Sequence, residues 1–262
     1  MLPGSLGNGP TIPSGTKTEI PVQSERALLA SAILCLLTSG LTWAANTTDD
    51  VFHLEDLRVR ITEDLPYAEI RHDGRSVTLM RQQNPGHTVD PPYDQTARPC
   101  PPYCIQPMAM PGGVETIGEL DVIAYLRRAA AGDHGILVID SRTSEWTAQG
   151  TIPGAINIPY TRLDPAKAAP REVADLLEVE FGAVRHDELW SFSAAKTLVL
   201  FCNGPWCGQS PTNIKALLDL GYPPSKLKWY RGGMQSWESL GLTTVRSQDG
   251  AGGTPTGSPA RR

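Results

Sequence analysis

Residues 197–220, TLVLFCNGPWCGQSPTNIKALLDL, constrain this chain more than any other stretch. They open with Thr197 to Phe201, a short β-branched and aromatic run of the length expected for a buried parallel strand. Ser210 followed by Pro211 predicts a helix start, a hydroxyl N-cap and then proline at the first helical position. Between strand and helix lies the tight loop Cys202-Asn203-Gly204-Pro205-Trp206-Cys207-Gly208. Cys202 therefore falls at the carboxyl end of a strand, facing a helix N-terminus, the place where an α/β fold binds ligands. Unpaired N–H groups and the positive end of the helix dipole favour negative charge there, so a thiolate is stabilised. A buried, inert cysteine is the competing reading, and the loop sequence weighs against it.

The surroundings repeat the alternation of helix and strand. Residues 117–128 form an amphipathic helix, with Leu120, Ile123, Ala124 and Leu126 on one face, and Ile136 to Asp140 is a continuous apolar strand. A turn and a short strand follow from Gly150. Residues 170–181 and the region 186–190 read as helical, 227–230 as a strand, Arg231-Gly232-Gly233 as a turn and 234–240 as a helix. This order predicts a mostly parallel sheet with helices on both faces.

Several separated motifs then stand in one order: Asp140-x-Arg142, Gly150-Thr151-Ile152-Pro153-Gly154-Ala155-Ile156-Asn157-Ile158-Pro159, the apolar strand into Cys202, and Tyr230-Arg231-Gly232-Gly233-Met234-x-x-Trp237 before Gly241-Leu242. With these motifs, residues 114–246 resemble a rhodanese homology domain. The resemblance implies the rhodanese-like α/β fold and a persulfide formed on Cys202. It also implies transfer of sulfane sulfur from thiosulfate or a related donor to a thiol or other nucleophile, with no cofactor. Asn203 to Gly208 become the active-site loop, and Arg231 and Arg142 the candidates for contacting an anionic donor. Asp140 with Arg142 also suits a structural ion pair under the loop. Common members carry glycine three residues after the cysteine and a basic or hydroxyl residue five after it; here Gly204 is two on and Cys207 five on. Cys207 has three readings: it resolves the persulfide, pairs reversibly with Cys202, or is inert. Trp206 either roofs the pocket or packs on a neighbouring helix.

Residues 27–45, ALLASAILCLLTSGLTWAA, are uncharged, preceded by Arg26 and followed by the polar NTTDD. A basic residue, an apolar core and small residues before a polar stretch form the layout of a secretory signal cleaved after Ala44. At 19 residues the run is also long enough to remain as a membrane anchor. The expectation is a periplasmic or secreted protein. Residues 1–45 then comprise a disordered leader plus signal or anchor, 46–110 a small β extension, 111–246 the larger domain, and 247–262 a disordered tail.

In the extension, residues 57–62, 67–71 and 76–81 alternate apolar and polar side chains, with an Asp73-Gly74 turn between the last two. They predict a three-stranded antiparallel element packed on the larger domain, since so small a sheet buries too little to stand alone. His53, His72 and His87 sit in polar contexts and are expected to be solvated. Cys100 and Cys104, separated by Pro101-Pro102-Tyr103, suit a local disulfide in an oxidising compartment. Zinc would need two more ligands nearby, so no metal site is expected.

The charge balance, 23 basic against 28 acidic residues with no basic stripe, excludes a nucleic-acid role. A phosphatase loop needs arginine six residues after its cysteine, and Gly208 stands there. A thiol-disulfide redox protein and a non-catalytic binding module on the same scaffold remain the alternatives. The partners expected are a small sulfur donor and a thiol acceptor.

Overall fold

The computed structural model describes residues 54–99, 109–187 and 189–246. The 27–45 apolar run, the Cys100–Cys104 clasp and the 247–262 tail lie outside the described residues. In chain order the elements are β1 (Ala68–His72), β2 (Arg75–Leu79), β3 (Glu115–Ile117), α1 (Glu119–Ala130), β4 (Ile136–Asp140), α2 (Ser144–Ala148) and β5 (Ile156–Asn157). There follow α3 (Pro170–Asp175), continued by a π-helical turn over Leu176–Glu180, β6 (Val184–His186), β7 (Leu189–Ser191), β8 (Thr197–Phe201), α4 (Gln209–Asp219), β9 (Leu227–Tyr230) and α5 (Gly233–Ser239).

Five strands form one sheet in the order β3-β9-β8-β4-β5, every neighbouring pair parallel. Side chains alternate across a strand, so β8 supplies both cores. Val199 and Phe201 join Val138, α1 (Val122, Ile123, Leu126) and α5 (Met234, Trp237) on one face. Leu198 and Leu200 join Ile139, α4 (Ile214, Leu217) and the π turn (Leu176, Leu177) on the other. Both faces are therefore covered, which is why the central strand is apolar without interruption. This is the α/β fold expected of the sequence. Among the described residues no helix is long and apolar enough to cross a membrane.

Strands β1 and β2 pair antiparallel, Ala68 opposite Leu79 and His72 opposite Arg75, and Asp73-Gly74 turns the hairpin with both residues at positive φ. The hairpin lies on the first core: Ile70 and Leu79 are buried with Leu126 of α1. Gly154 is required at this contact. A Cβ there would stand 2.9 Å from both Ile70 and Leu126, and its φ is +84°.

Three local expectations are corrected. Residues 57–62 are not a third strand. The Gln83 carboxamide accepts from the N–H groups of Arg58 and Val59 and donates to the Val59 carbonyl, and Ile61 and Thr62 close a turn on Pro66 and Leu65. A side chain thus satisfies backbone groups that a strand neighbour would otherwise pair. Residues 186–190 are not helical; β6 and β7 form an antiparallel hairpin there. His72 is not solvated: its Nδ1 accepts the Gly154 N–H at 3.1 Å.

Candidate active site

Register aligns the strand ends. Ile117, Tyr230, Phe201, Asp140 and Asn157 are successive neighbours across the sheet, so the residues that follow them emerge on one carboxyl edge. Cys202 leaves the central strand on that edge.

Helix α4 begins at Gln209 with Gly208 as N-cap, earlier than the Ser210 cap expected. Gly208 also accepts from the Thr212 N–H and hydroxyl. Ser210 consequently sits inside the first turn, and its hydroxyl does something other than capping: it donates to Cys202 Sγ at 3.2 Å. The same oxygen accepts Trp229 Nε1–H from β9 at 3.1 Å, which fixes the hydroxyl proton toward the sulfur.

The loop is held from its other side by α5. The Cys202 carbonyl accepts the Met234 N–H at 3.0 Å, and the Asn203 carbonyl accepts the Gln235 N–H at 2.9 Å. These are unpaired donors of a helix N-terminus, satisfied by the loop itself. So close an approach requires Gly233. Its φ is +55°, and a Cβ on it would collide with the Cys202 carbonyl oxygen and the Gly204 nitrogen. Within the loop, Cys207 N–H donates to the Gly204 carbonyl at 2.9 Å and Trp206 Nε1–H to Gln235 Oε1 at 2.9 Å. Trp206 is half-buried under the Arg98 guanidinium, 4.3 Å from its ring centre, and beside Trp146, so it both packs and roofs the loop. Pro205 is half-buried next to it.

Cys202 is only 2% exposed. Burial alone would push its thiol up. The Cys207 thiol, the Ser210 hydroxyl and the backbone N–H groups of Ser210 and Gly204 more than offset that, and Cys202 ionises below the ordinary thiol value. Cys207 moves the other way, raised first by its interaction with Cys202 and then by burial. The neutral Cys202 thiol lies 3.4 Å from the Cys207 carbonyl oxygen. Both cysteines are free.

The two arginines occupy different situations. Arg142 is 0% exposed and donates to Asp140 Oδ2 at 2.6 Å, to the Gly150 carbonyl at 2.6 Å, to the Tyr93 hydroxyl at 2.5 Å and to Asn203 Oδ1 at 3.4 Å. The structural ion pair with Asp140 that the sequence suggested is present, and with the guanidinium spent on protein partners, contact with a donor gives way to support of the loop through Asn203. Burial works against its charge, and Asp140 more than restores it. Arg231 follows β9 on the active edge, half-buried, with an interaction of its own.

Tyr93, from the segment before the larger domain, is a site residue that nothing in its Pro-Pro-Tyr-Asp context signals. Its hydroxyl accepts from Arg142 and donates to Asn203 Oδ1 at 3.4 Å, and burial pushes it up to about 12. Trp229 is equally silent, because its partner Ser210 lies 19 residues away on another element. Gly233 alone had a signal, the paired glycines after Arg231. Among the described residues no group of three or more His, Cys, Asp or Glu is placed to hold a metal ion.

Residues 124–240 match the model of the Rhodanese-like domain. An HTH-type transcriptional regulator of Mycobacterium tuberculosis, Rv0324, is 29% identical over 117 residues, 45% of this chain and 40% of that protein. The chain thus spans well under half the length of this curated relative. Among solved structures, thiosulfate sulfurtransferase from Pseudomonas aeruginosa shares 19% identity over 52% of this chain and 21% of its own, with a TM-score of 0.35. The human single-domain sulfurtransferase TSTD1 shares 24% over 48% and 96%, with a TM-score of 0.31. Cys202, its loop, the α4 N-terminus and the Arg231 turn all fall inside the matched segment, and residues 124–240 of this chain are a rhodanese-like domain.

Proposed function

We propose that this protein is a sulfurtransferase that carries sulfane sulfur on Cys202. The observation that carries the reading is the Ser210 hydroxyl aimed at Cys202 Sγ from the first turn of α4 and held there by Trp229. A donor-lined, buried sulfur stabilises negative charge on a thiolate and on the persulfide that replaces it. In the first half-reaction the Cys202 thiolate attacks the outer sulfur of thiosulfate. The new S–S bond forms as the bond to the sulfonate sulfur breaks, and sulfite leaves with the electron pair. In the second, a thiolate or cyanide takes the terminal sulfur and Cys202 leaves as thiolate. Enclosure keeps water from the persulfide. It also means that a donor reaches the sulfur only when the side chains above it turn aside.

Arg231 is the cation assigned to the anionic donor, since Arg142 is already committed to Asp140. The 27–45 run supports export, with the transfer taking place in an oxidising compartment. The N-terminal residue of the protein recovered from the periplasmic and membrane fractions tests that part.

Sulfur transfer from thiosulfate to cyanide and to small thiols tests the chemistry. Cys202→Ser is expected to fall to the uncatalysed background, and an active Cys202→Ser protein ends the reading. Failure of wild-type Cys202 to react with iodoacetamide near neutral pH would favour a non-catalytic binding module.

A further inference from the structure

Among the described residues the free cysteines are Cys202 and Cys207, both buried, and sulfur transfer through Cys202 uses the Cys207 thiol only as a donor to the thiolate. Its position is specific. The turn closed by Cys207 N–H on the Gly204 carbonyl folds the loop back on itself. Cys202 Sγ then lies 3.4 Å from the Cys207 carbonyl oxygen. The Cys207 sulfur sits between Gln209 Oε1 at 3.6 Å and Asn203 Nδ2 at 4.0 Å, that is, between the first residue of α4 and the neighbour of Cys202. Both sulfurs are therefore buried on one tight loop, where the two side chains interact directly.

We propose that Cys207 is a resolving thiol: it attacks the Cys202 persulfide, forms a Cys202–Cys207 disulfide and expels sulfide. The site would then reduce sulfane sulfur as well as transfer it. This rests on the sulfurtransferase reading above. The Sγ–Sγ bond forms as the bond between Cys202 Sγ and the outer sulfur breaks. The departing sulfur keeps that bond's electron pair and takes the Cys207 proton, so it leaves as hydrosulfide. The two cysteine sulfurs are together oxidised by two electrons, and the sulfane sulfur is reduced by two. A dithiol reductant restores both cysteines by exchange and becomes a disulfide itself. Cys207, held neutral beside the Cys202 thiolate, gives its proton to the outer sulfur of the persulfide as it attacks, so that the attacking sulfur is a thiolate and the leaving group hydrosulfide. Gln209 and Asn203 act as positioning residues for the Cys207 thiol.

The test is a single turnover of the full, reduced protein with one equivalent of thiosulfate and no other thiol. Sulfite, sulfide and the intact mass under non-reducing conditions are followed together. The expected result for the wild type is one sulfite and one sulfide per protein, with loss of two hydrogens from the mass. Cys207→Ser and Cys207→Ala lose a donor to the Cys202 thiolate and are expected to release sulfite more slowly, yet at completion to have gained one sulfur atom and released no sulfide. A wild-type protein that gains the sulfur atom and holds it without releasing sulfide overturns the role of Cys207 and leaves the sulfurtransferase reading standing. A wild-type protein that releases no sulfite overturns both.

Discussion

Ser210 shows how one side chain can serve two neighbours and so set the chemistry of a third. Its oxygen accepts from Trp229 and its proton points at Cys202 Sγ. A hydrogen bond to an ionised group is worth about 1.5–3 kcal/mol. Ser210→Ala should therefore raise the midpoint of Cys202 alkylation against pH by about one to two units. The sign follows from the lowered pKa of Cys202: the reactive thiolate is present above it and lost as pH falls through it. Iodoacetamide rates across the pH range check this, and an unmoved midpoint would show that the hydroxyl is not the stabilising donor. Trp229→Phe should give a smaller upward shift, because it frees the hydroxyl without removing it.

The active loop is a product of two helices meeting one strand end. Helix α4 offers its first turn to the sulfur, while α5 donates its own first N–H groups to the Cys202 and Asn203 carbonyls. Gly233 is the hinge of that meeting. Gly233→Ala places a side chain in the left-handed region, at about 1–2 kcal/mol, and drives its Cβ into the loop backbone. We expect a lower denaturation midpoint together with a loss of sulfur transfer larger than the lost stability explains. Chemical denaturation and initial rates measured on the same preparation separate the two. Equal, small effects would mean that the loop is held mainly elsewhere. The helix start itself was misplaced from sequence for a physical reason. Ser210-Pro211 satisfies local capping rules, yet the fold spends that serine on the sulfur and lets Gly208 begin the helix.

At the scale of the whole molecule, the segment before the rhodanese-like domain completes the support of the site. Tyr93 bonds Arg142 and Asn203, and Ile70 and Leu79 complete the core over α1. Tyr93→Phe leaves a buried guanidinium N–H without its partner, a cost of about 1–3 kcal/mol. Its Tm should fall by roughly 3–10 °C. A chain trimmed to residues 111–246 should expose Leu126 and neighbouring apolar side chains, melt earlier than the longer protein and bind a hydrophobic dye. Equal melting temperatures for the two would show that the extension is dispensable. The mostly parallel sheet and the position of Cys202 were legible in the sequence, because five-residue apolar runs and glycine-marked turns express local rules that each segment obeys by itself; the order of the strands, and the short edge strand β3 where the sequence suggested a helix start, were not. The sequence likewise carried the pairing of β1 with β2 through Asp73-Gly74. It did not carry the fate of residues 57–62, which is decided by the Gln83 side chain 24 residues from Val59. Nor did it show which groups acidify Cys202, or that Arg142 reaches Tyr93 and Asn203 beyond its ion pair with Asp140. Those outcomes depend on side chains from β4, β8, β9, α4, α5 and the Tyr93 segment arriving at one sheet edge. Backbone propensity is a property of neighbours in the chain, whereas hydrogen-bond partners of a buried group are chosen by neighbours in space, and only the tertiary structure assembles those.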